Sequence, residues 1–127
     1  MTKRQPRTAS QILMAEMSEI GYQSSVIQLA ERLGWIQYHV RDSRNVVSSK
    51  GFPDVVLAHP QHGILFWEFK TETGRPSADQ VTWITTLQAA GAEAEIVRPR
   101  YHDTYVIPRL AGKPCTLPSV TAGTALA

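Results

Sequence analysis

The feature that most narrows what this chain can become is a pair of apolar runs, "DVVLAH" at 54–59 and "GILFWEFK" at 63–70, separated only by Pro60, Gln61 and His62. Short runs rich in β-branched and aromatic residues, joined by so brief a link, predict an antiparallel hairpin. With the three linking residues as the loop, Ala58 faces Ile64, Val56 faces Phe66 and Asp54 faces Glu68. Two carboxylates then stand directly opposed, with Cβ atoms roughly 4.5–5.5 Å apart, a placement that destabilises a sheet unless something compensates. Side chains alternate along a strand, so Lys70 projects from the same face as Glu68. A hard divalent cation, Mg²⁺ or Mn²⁺, is the natural compensation, because it takes oxygen ligands from one or two carboxylates and fills its shell with water and phosphate. Beside such an ion a lysine can orient or help deprotonate an attacking water, or stabilise charge growing on a phosphate. The plainer alternative is a structural ion pair of Lys70 with Asp54 or Glu68 on a solvated sheet edge. Ile64 and Phe66 share the face of Glu68 and argue for partial burial, where charges need partners or metals.

The rest of the chain supplies the frame. Tyr22, Val26, Leu29, Ala30 and Leu33 recur at helical spacing between a candidate N-cap, Ser18, and a stop at Gly34, which predicts a helix over 18–33. Residues 35–41 read as a strand, followed by the polar, basic loop "RDSRNVVSSKGFP". A second helix runs from Ser77 to about Ala90, with Gly91 as its stop, and residues 94–97 form a fourth strand. Residues 101–111 hold a short helix interrupted by Pro108. The order α-β-β-β-α-β implies an α/β fold with a mixed sheet flanked by helices. Residues 1–8, with Lys3, Arg4, Arg7 and Pro6, read as a flexible basic arm; 9–111 as a single folding unit; and 112–127 as a disordered or loosely attached tail.

On these residues the chain resembles the VRR-NUC nucleases of the PD-(D/E)-x-K superfamily. The resemblance lies in "GFPDVV", then "FWEFK", then "TETGRPSADQ", with Gly51, Gly74, Ser77 and Gln80 at family-like spacing and "AGAEAEIVRP" after the helix. It covers about Ser18 to Arg98 and implies a restriction-endonuclease-like core. It also implies Asp54 and Glu68 as metal ligands, Lys70 as the group that activates water or stabilises phosphate, and Gln80 as a further active-site residue. Gln80 has a structural reading too, since Ser77-x-x-Gln80 fits a capping box. In the superfamily a glutamate of the first helix often joins the metal shell. Glu19 lies about 20° from Val26 around the helix and Glu31 about 140° from it, so Glu19 is the inward candidate, with Gln23 beside it. Its alternative reading is an N1 residue favoured by the helix dipole.

Charge placement points to the partner. A net charge of +2 over 127 residues is too mild to demand a polyanion. Arg41, Arg44 and Lys50, however, stand in the loop before the site with Ser43, Asn45, Ser48 and Ser49, and Arg75 stands on its other side. All are groups suited to phosphate oxygens, although for any one of them a solvated surface role is the simpler reading. The lone Cys115 offers no internal disulfide and no structural zinc site. No set of nucleophile, base and orienting group is visible, which disfavours covalent hydrolysis. No apolar run is long enough to span a bilayer, and the expected location is cytoplasmic, in a bacterial host if the chain is phage-encoded. The resemblance, to small stand-alone members from phages and bacteria, implies a DNA substrate, branched or junction DNA among the options, and a homodimer. The competing reading is a catalytically silent DNA-binding module that keeps the fold.

Overall fold

The hairpin forms in the expected register. The computed structural model describes residues 6–39 and 50–117. In it β2 (Val55–His59) and β3 (Gly63–Phe69) pair antiparallel, with Ala58 opposite Ile64 and Val56 opposite Phe66. β1 (Ile36–His39) lies antiparallel to β2, β4 (Glu93–Val97) lies parallel to β3, and the sheet order is β1-β2-β3-β4. A parallel neighbour cannot be reached by a tight turn, so the chain crosses from β3 to β4 through α3 (Ala78–Ala89).

Alternation sorts the sheet into two faces. One carries Val55, Leu57, Leu65, Trp67, Phe69 and Val97, all fully buried. Against it lie α2 (Glu19–Arg32), through Tyr22, Val26 and Ala30, and the C-terminal helical segment, through Tyr105, Val106 and Leu110. Each such side chain contributes about 1.5–3 kcal/mol by leaving water. The polar edges of the large aromatics are satisfied inside: Trp67 Nε1 donates to the Tyr105 hydroxyl at 3.1 Å, and Trp35 Nε1 to the Leu110 carbonyl at 2.9 Å. The opposite face carries Phe66, Glu68 and Ala94, with α3 over β4 and its Ile84 fully buried. Phe52 stands edge-to-face with both Phe66 and Trp83, at 6.1 and 5.0 Å between centroids. This is the expected α/β architecture, a mixed sheet flanked by helices.

α2 starts where the sequence places it. Ser18 Oγ accepts from the Gly21 N–H at 3.0 Å, and the chain leaves the helix through Gly34 at φ +92°, a left-handed conformation that favours glycine. Two helical parts lie outside the expected α-β-β-β-α-β order. α1 (Ala9–Glu16) precedes α2 and rests on the segment that follows β4. Thr8 Oγ1, just before it, donates to Asp103 Oδ2 at 2.6 Å. That segment is helical throughout: a 3₁₀ turn at Pro99–Tyr101, a widened π-type turn at His102–Val106, then α4 (Ile107–Leu110). Pro108 therefore does not interrupt the path, because the wider turn before it accommodates a ring that has no N–H and would crowd the carbonyl one turn back. Past Gly112 the chain stays on the fold, with Cys115 and Leu117 against the core. Among the described residues no helix is long and apolar enough to cross a membrane.

Candidate active site

Asp54 sits immediately before β2, opposite Glu68 and one step beyond the last ladder pair, Val55 with Trp67. At that position it is tied to the facing strand: the Phe69 N–H donates to Asp54 Oδ2 at 3.2 Å. Glu68, near the end of β3, is 1% exposed. Two groups converge on one of its oxygens. Gln80 Nε2 donates to Glu68 Oε2 at 3.0 Å, and Lys70 Nζ lies 3.6 Å from the same atom. The other oxygen, Oε1, is buried with no hydrogen-bond partner among the described residues. Burial first, and then the adjacent Asp54 carboxylate, push the Glu68 carboxyl up to about 8, with Lys70 pulling the other way.

α2 supplies the third carboxylate. Glu19, Asp54 and Glu68 each offer an oxygen, and the three oxygens lie within 4.8 Å of one another. Opposite ligands of a Mg²⁺ ion stand about 4.2 Å apart, so small side-chain rotations bring these atoms onto one ion. The donor set fits a hard divalent cation on three counts: all ligands are oxygen, one buried oxygen has no partner among the described residues, and among those residues three carboxyl groups face one nearby ammonium, that of Lys70.

The second helix joins the site through a cap. Ser77 Oγ accepts from the Gln80 N–H at 3.1 Å, while Gln80 Oε1 accepts from the Ser77 N–H at 2.9 Å. Its amide thus caps α3 with one atom and holds Glu68 with the other, and the structural and active-site readings of Gln80 coexist in one conformation. The segment leading into β2 is docked on this same turn. A Cβ added to Gly51, which sits at φ +94°, would lie 2.5 Å from the Asp79 carbonyl carbon and 2.7 Å from the Gln80 nitrogen. The glycine of "GFPD" therefore lets the loop before Asp54 touch the helix end that presents Gln80.

Of the basic residues expected to meet phosphate, Lys50 and Arg75 are exposed on segments flanking the carboxylates. Arg41 and Arg44 lie outside the described residues, as do Ser43, Asn45, Ser48 and Ser49. His39 is half-buried at the end of β1. The stacked rings of His59 and His62, 4.0 Å apart, lie at the turn end of the hairpin, away from the carboxylates. Two contributors to the site carry no sequence signal of their own: the Phe69 main-chain N–H, which any residue would supply, and the close approach at Gly51, which spacing alone does not reveal.

Comparison with known proteins follows this geometry. The family model of the VRR-NUC domain matches residues 3–100. Among solved structures, one described as a VRR-NUC domain superposes with a TM-score of 0.55 at 22% identity, covering 68% of this chain and 96% of that one. A second, a VRR-NUC domain protein, gives 0.58 at 18% identity, covering 76% and 92%. Hjc, a Holliday junction resolvase of the archaeal hyperthermophile Archaeoglobus fulgidus, gives 0.45 at 25% identity, covering 61% and 63%. No curated protein matches the sequence.

Proposed function

Because the chain belongs to the VRR-NUC domain family, a family of nucleases, we propose that it hydrolyses DNA phosphodiester bonds with the help of Mg²⁺ or Mn²⁺. The observation that carries this reading is the convergence of Glu19, Asp54 and Glu68 oxygens within 4.8 Å, with Lys70 and Gln80 both on Glu68. Asp54, Glu68 and Glu19 would hold the ion. Bound there, it supplies Lewis-acid stabilisation of the phosphate and lowers the pKa of a water molecule.

The protein groups divide the remaining work. Gln80 and Lys70 occupy Glu68 Oε2 and leave the orphaned Oε1 for the metal. Asp54 is anchored through Oδ2 to the Phe69 N–H, which leaves its other oxygen. Lys70, as an ammonium, orients the water whose oxygen forms the new bond to phosphorus, or meets a non-bridging phosphate oxygen as charge develops there, while the water's proton passes to solvent. The ester P–O bond breaks and the leaving oxygen takes a proton from solvent. Uncatalysed hydrolysis of such esters is so slow that these effects together must lower the barrier by on the order of 20 kcal/mol. Lys50 and Arg75 flank the carboxylates and, with Arg41 and Arg44, suit the DNA backbone.

Branched or junction DNA is the substrate form we favour, cut by a homodimer that presents two sites. For the dimer, exposed apolar residues line up across the sheet: Ile36 (74% exposed) and Ile64 (54%) flank Ala58 in one row, with Tyr38 (65%) beside them. With such a substrate, the location we favour is the cytoplasm of a bacterial cell, its own or a phage's host. The test is incubation with supercoiled, linear, single-stranded and four-way-junction DNA in Mg²⁺, Mn²⁺ or EDTA, with mass measured by light scattering. Metal-dependent cleavage is expected, fastest on junctions, by a species of twice the chain mass. Binding without cleavage in either metal would favour the silent DNA-binding module instead.

A further inference from the structure

Between Lys70 and the Ser77 cap, the chain makes a turn that joins the end of β3, just before Lys70, to the helix that carries Gln80. Its internal bonds are few: the Gly74 N–H reaches the Thr71 carbonyl at 3.3 Å and Thr71 Oγ1 at 3.0 Å. A turn held so lightly exposes main-chain carbonyls that need donors. They find one from outside. Arg98, the residue after β4, directs Nη1 at the Thr71 carbonyl (2.6 Å) and the Gly74 carbonyl (2.7 Å), with the Glu72 carbonyl at 3.4 Å. Next to it Arg100 Nε donates to Glu72 Oε2 at 2.7 Å. The base of the turn is fixed too, because the Lys70 N–H donates to the Val97 carbonyl at 3.0 Å.

We propose that Arg98 is a positioning residue of the site, whose guanidinium clamps the 71–74 turn and so holds Lys70 and Gln80 in place on Glu68. Arg98 touches none of the three carboxylates and acts only through this turn. The plainer role, satisfying three loop carbonyls, makes a different prediction: it would alter stability without coupling to Gln80. Partners that orient the ligands of a metal site typically change affinity or activity about 10–100-fold when removed, and a small misplacement of reacting groups has a similar effect on rate.

The proposal rests on the nuclease reading for its kinetic arm only. Mn²⁺ affinity, from electron paramagnetic resonance of free Mn²⁺, is measured alongside single-turnover cleavage for wild type, Arg98→Ala, Arg98→Lys, Gln80→Ala and the double variant Arg98→Ala with Gln80→Ala. Arg98→Ala should weaken Mn²⁺ binding and slow cleavage by about tenfold or more. Arg98→Lys, whose ammonium has three donors for the same carbonyls, should recover most of both. The loss on Arg98→Ala should shrink in the Gln80→Ala background, since the clamp acts through a contact already gone. If Arg98→Ala does not fold by circular dichroism, Gly74→Ala disturbs the same turn while keeping Arg98: its Cβ would lie 2.9 Å from Thr71 Oγ1 and 3.7 Å from Lys70 Cδ. That variant should show the same paired losses. A folded Arg98→Ala with wild-type Mn²⁺ affinity and rate, or losses that multiply in full with those of Gln80→Ala, overturns the proposal. A wild type that cleaves nothing in any metal overturns the nuclease reading, and the Mn²⁺ titrations still decide the role of Arg98.

Discussion

Asp54 and Glu68 face each other, yet among the described residues only Asp54 has a main-chain donor, the Phe69 N–H at 3.2 Å. Asparagine keeps an acceptor for that N–H and removes the charge, so Asp54→Asn should relieve repulsion without loosening the strand end. We expect it to melt up to a few degrees above wild type in EDTA at a pH above about 8, where Glu68 is ionised, for about 0.5–1 kcal/mol of relieved repulsion. Mg²⁺ should close the gap, because the wild type gains more from an ion that binds only the folded protein. Asp54→Ala, which loses the acceptor as well, should show no such gain; scanning fluorimetry of the three proteins decides it. Lys70→Ala should abolish cleavage while leaving DNA affinity within a few-fold, and full activity with metal present would remove the lysine from the mechanism. Strand alternation and hairpin register were enough to place Asp54, Glu68 and Lys70 together from sequence. Both uses of Gln80 were legible, the cap from Ser77-x-x-Gln80 and the site role from the resemblance; that one conformation serves both was not, because a capping pattern says which backbone a side chain reaches and nothing about its second polar atom.

The elements that could be read are those whose signals are local. Ser18, Gly34, Ser77 and Gly91 bracket two helices, and the hairpin register follows from the length of its loop. α1 escapes such a reading for a physical reason: it has no acidic residue in its first turn and no basic one in its last, and Ile12 and Leu13 are 48% and 59% exposed. It lacks the charged ends that mark a helix in sequence, and two of its apolar side chains face solvent. It is held by the segment after β4, a contact across most of the chain. The docking of the β2 approach on α3 is equally non-local and turns on one residue. Gly51→Ala should destabilise the protein by about 2–4 kcal/mol, from the left-handed backbone and the collision with Asp79 and Gln80 together. Because that collision also displaces Gln80, activity at a temperature where the variant is still folded should fall below that of Gln80→Ala alone. Denaturant titration and a cleavage assay at low temperature check both parts.

For the whole molecule, the consequence of building a site this way is a fold that resists its own ionisation. Glu68 on one face of the sheet is pushed up to about 8, chiefly by burial, and Glu95 on the other face to about 7, again chiefly by burial. Both start from 4.5 in an unfolded chain, so between that value and the raised one the folded protein holds protons that the unfolded chain has released. Stability must then fall as pH rises through this interval. Burial lowers His102, a shift that works in the opposite sense, but only below its ordinary value of 6.5. Above about pH 6.5 the carboxyls therefore act unopposed by it, each by at most about 1.4 kcal/mol per pH unit. In EDTA the melting temperature should drop by several degrees between about pH 6.5 and 8.5. Metal reverses the sign at Glu68, since binding requires the ionised carboxylate and its stabilisation grows with pH. Saturating Mg²⁺ should flatten or invert the slope, and Glu95→Gln should remove much of the decline that remains. A melting temperature in EDTA that stays level over this range would mean that Glu68 is already ionised in the metal-free protein. Lys70 would then be neutralising it, and the case for an ion at the orphaned Oε1 would lose its electrostatic basis.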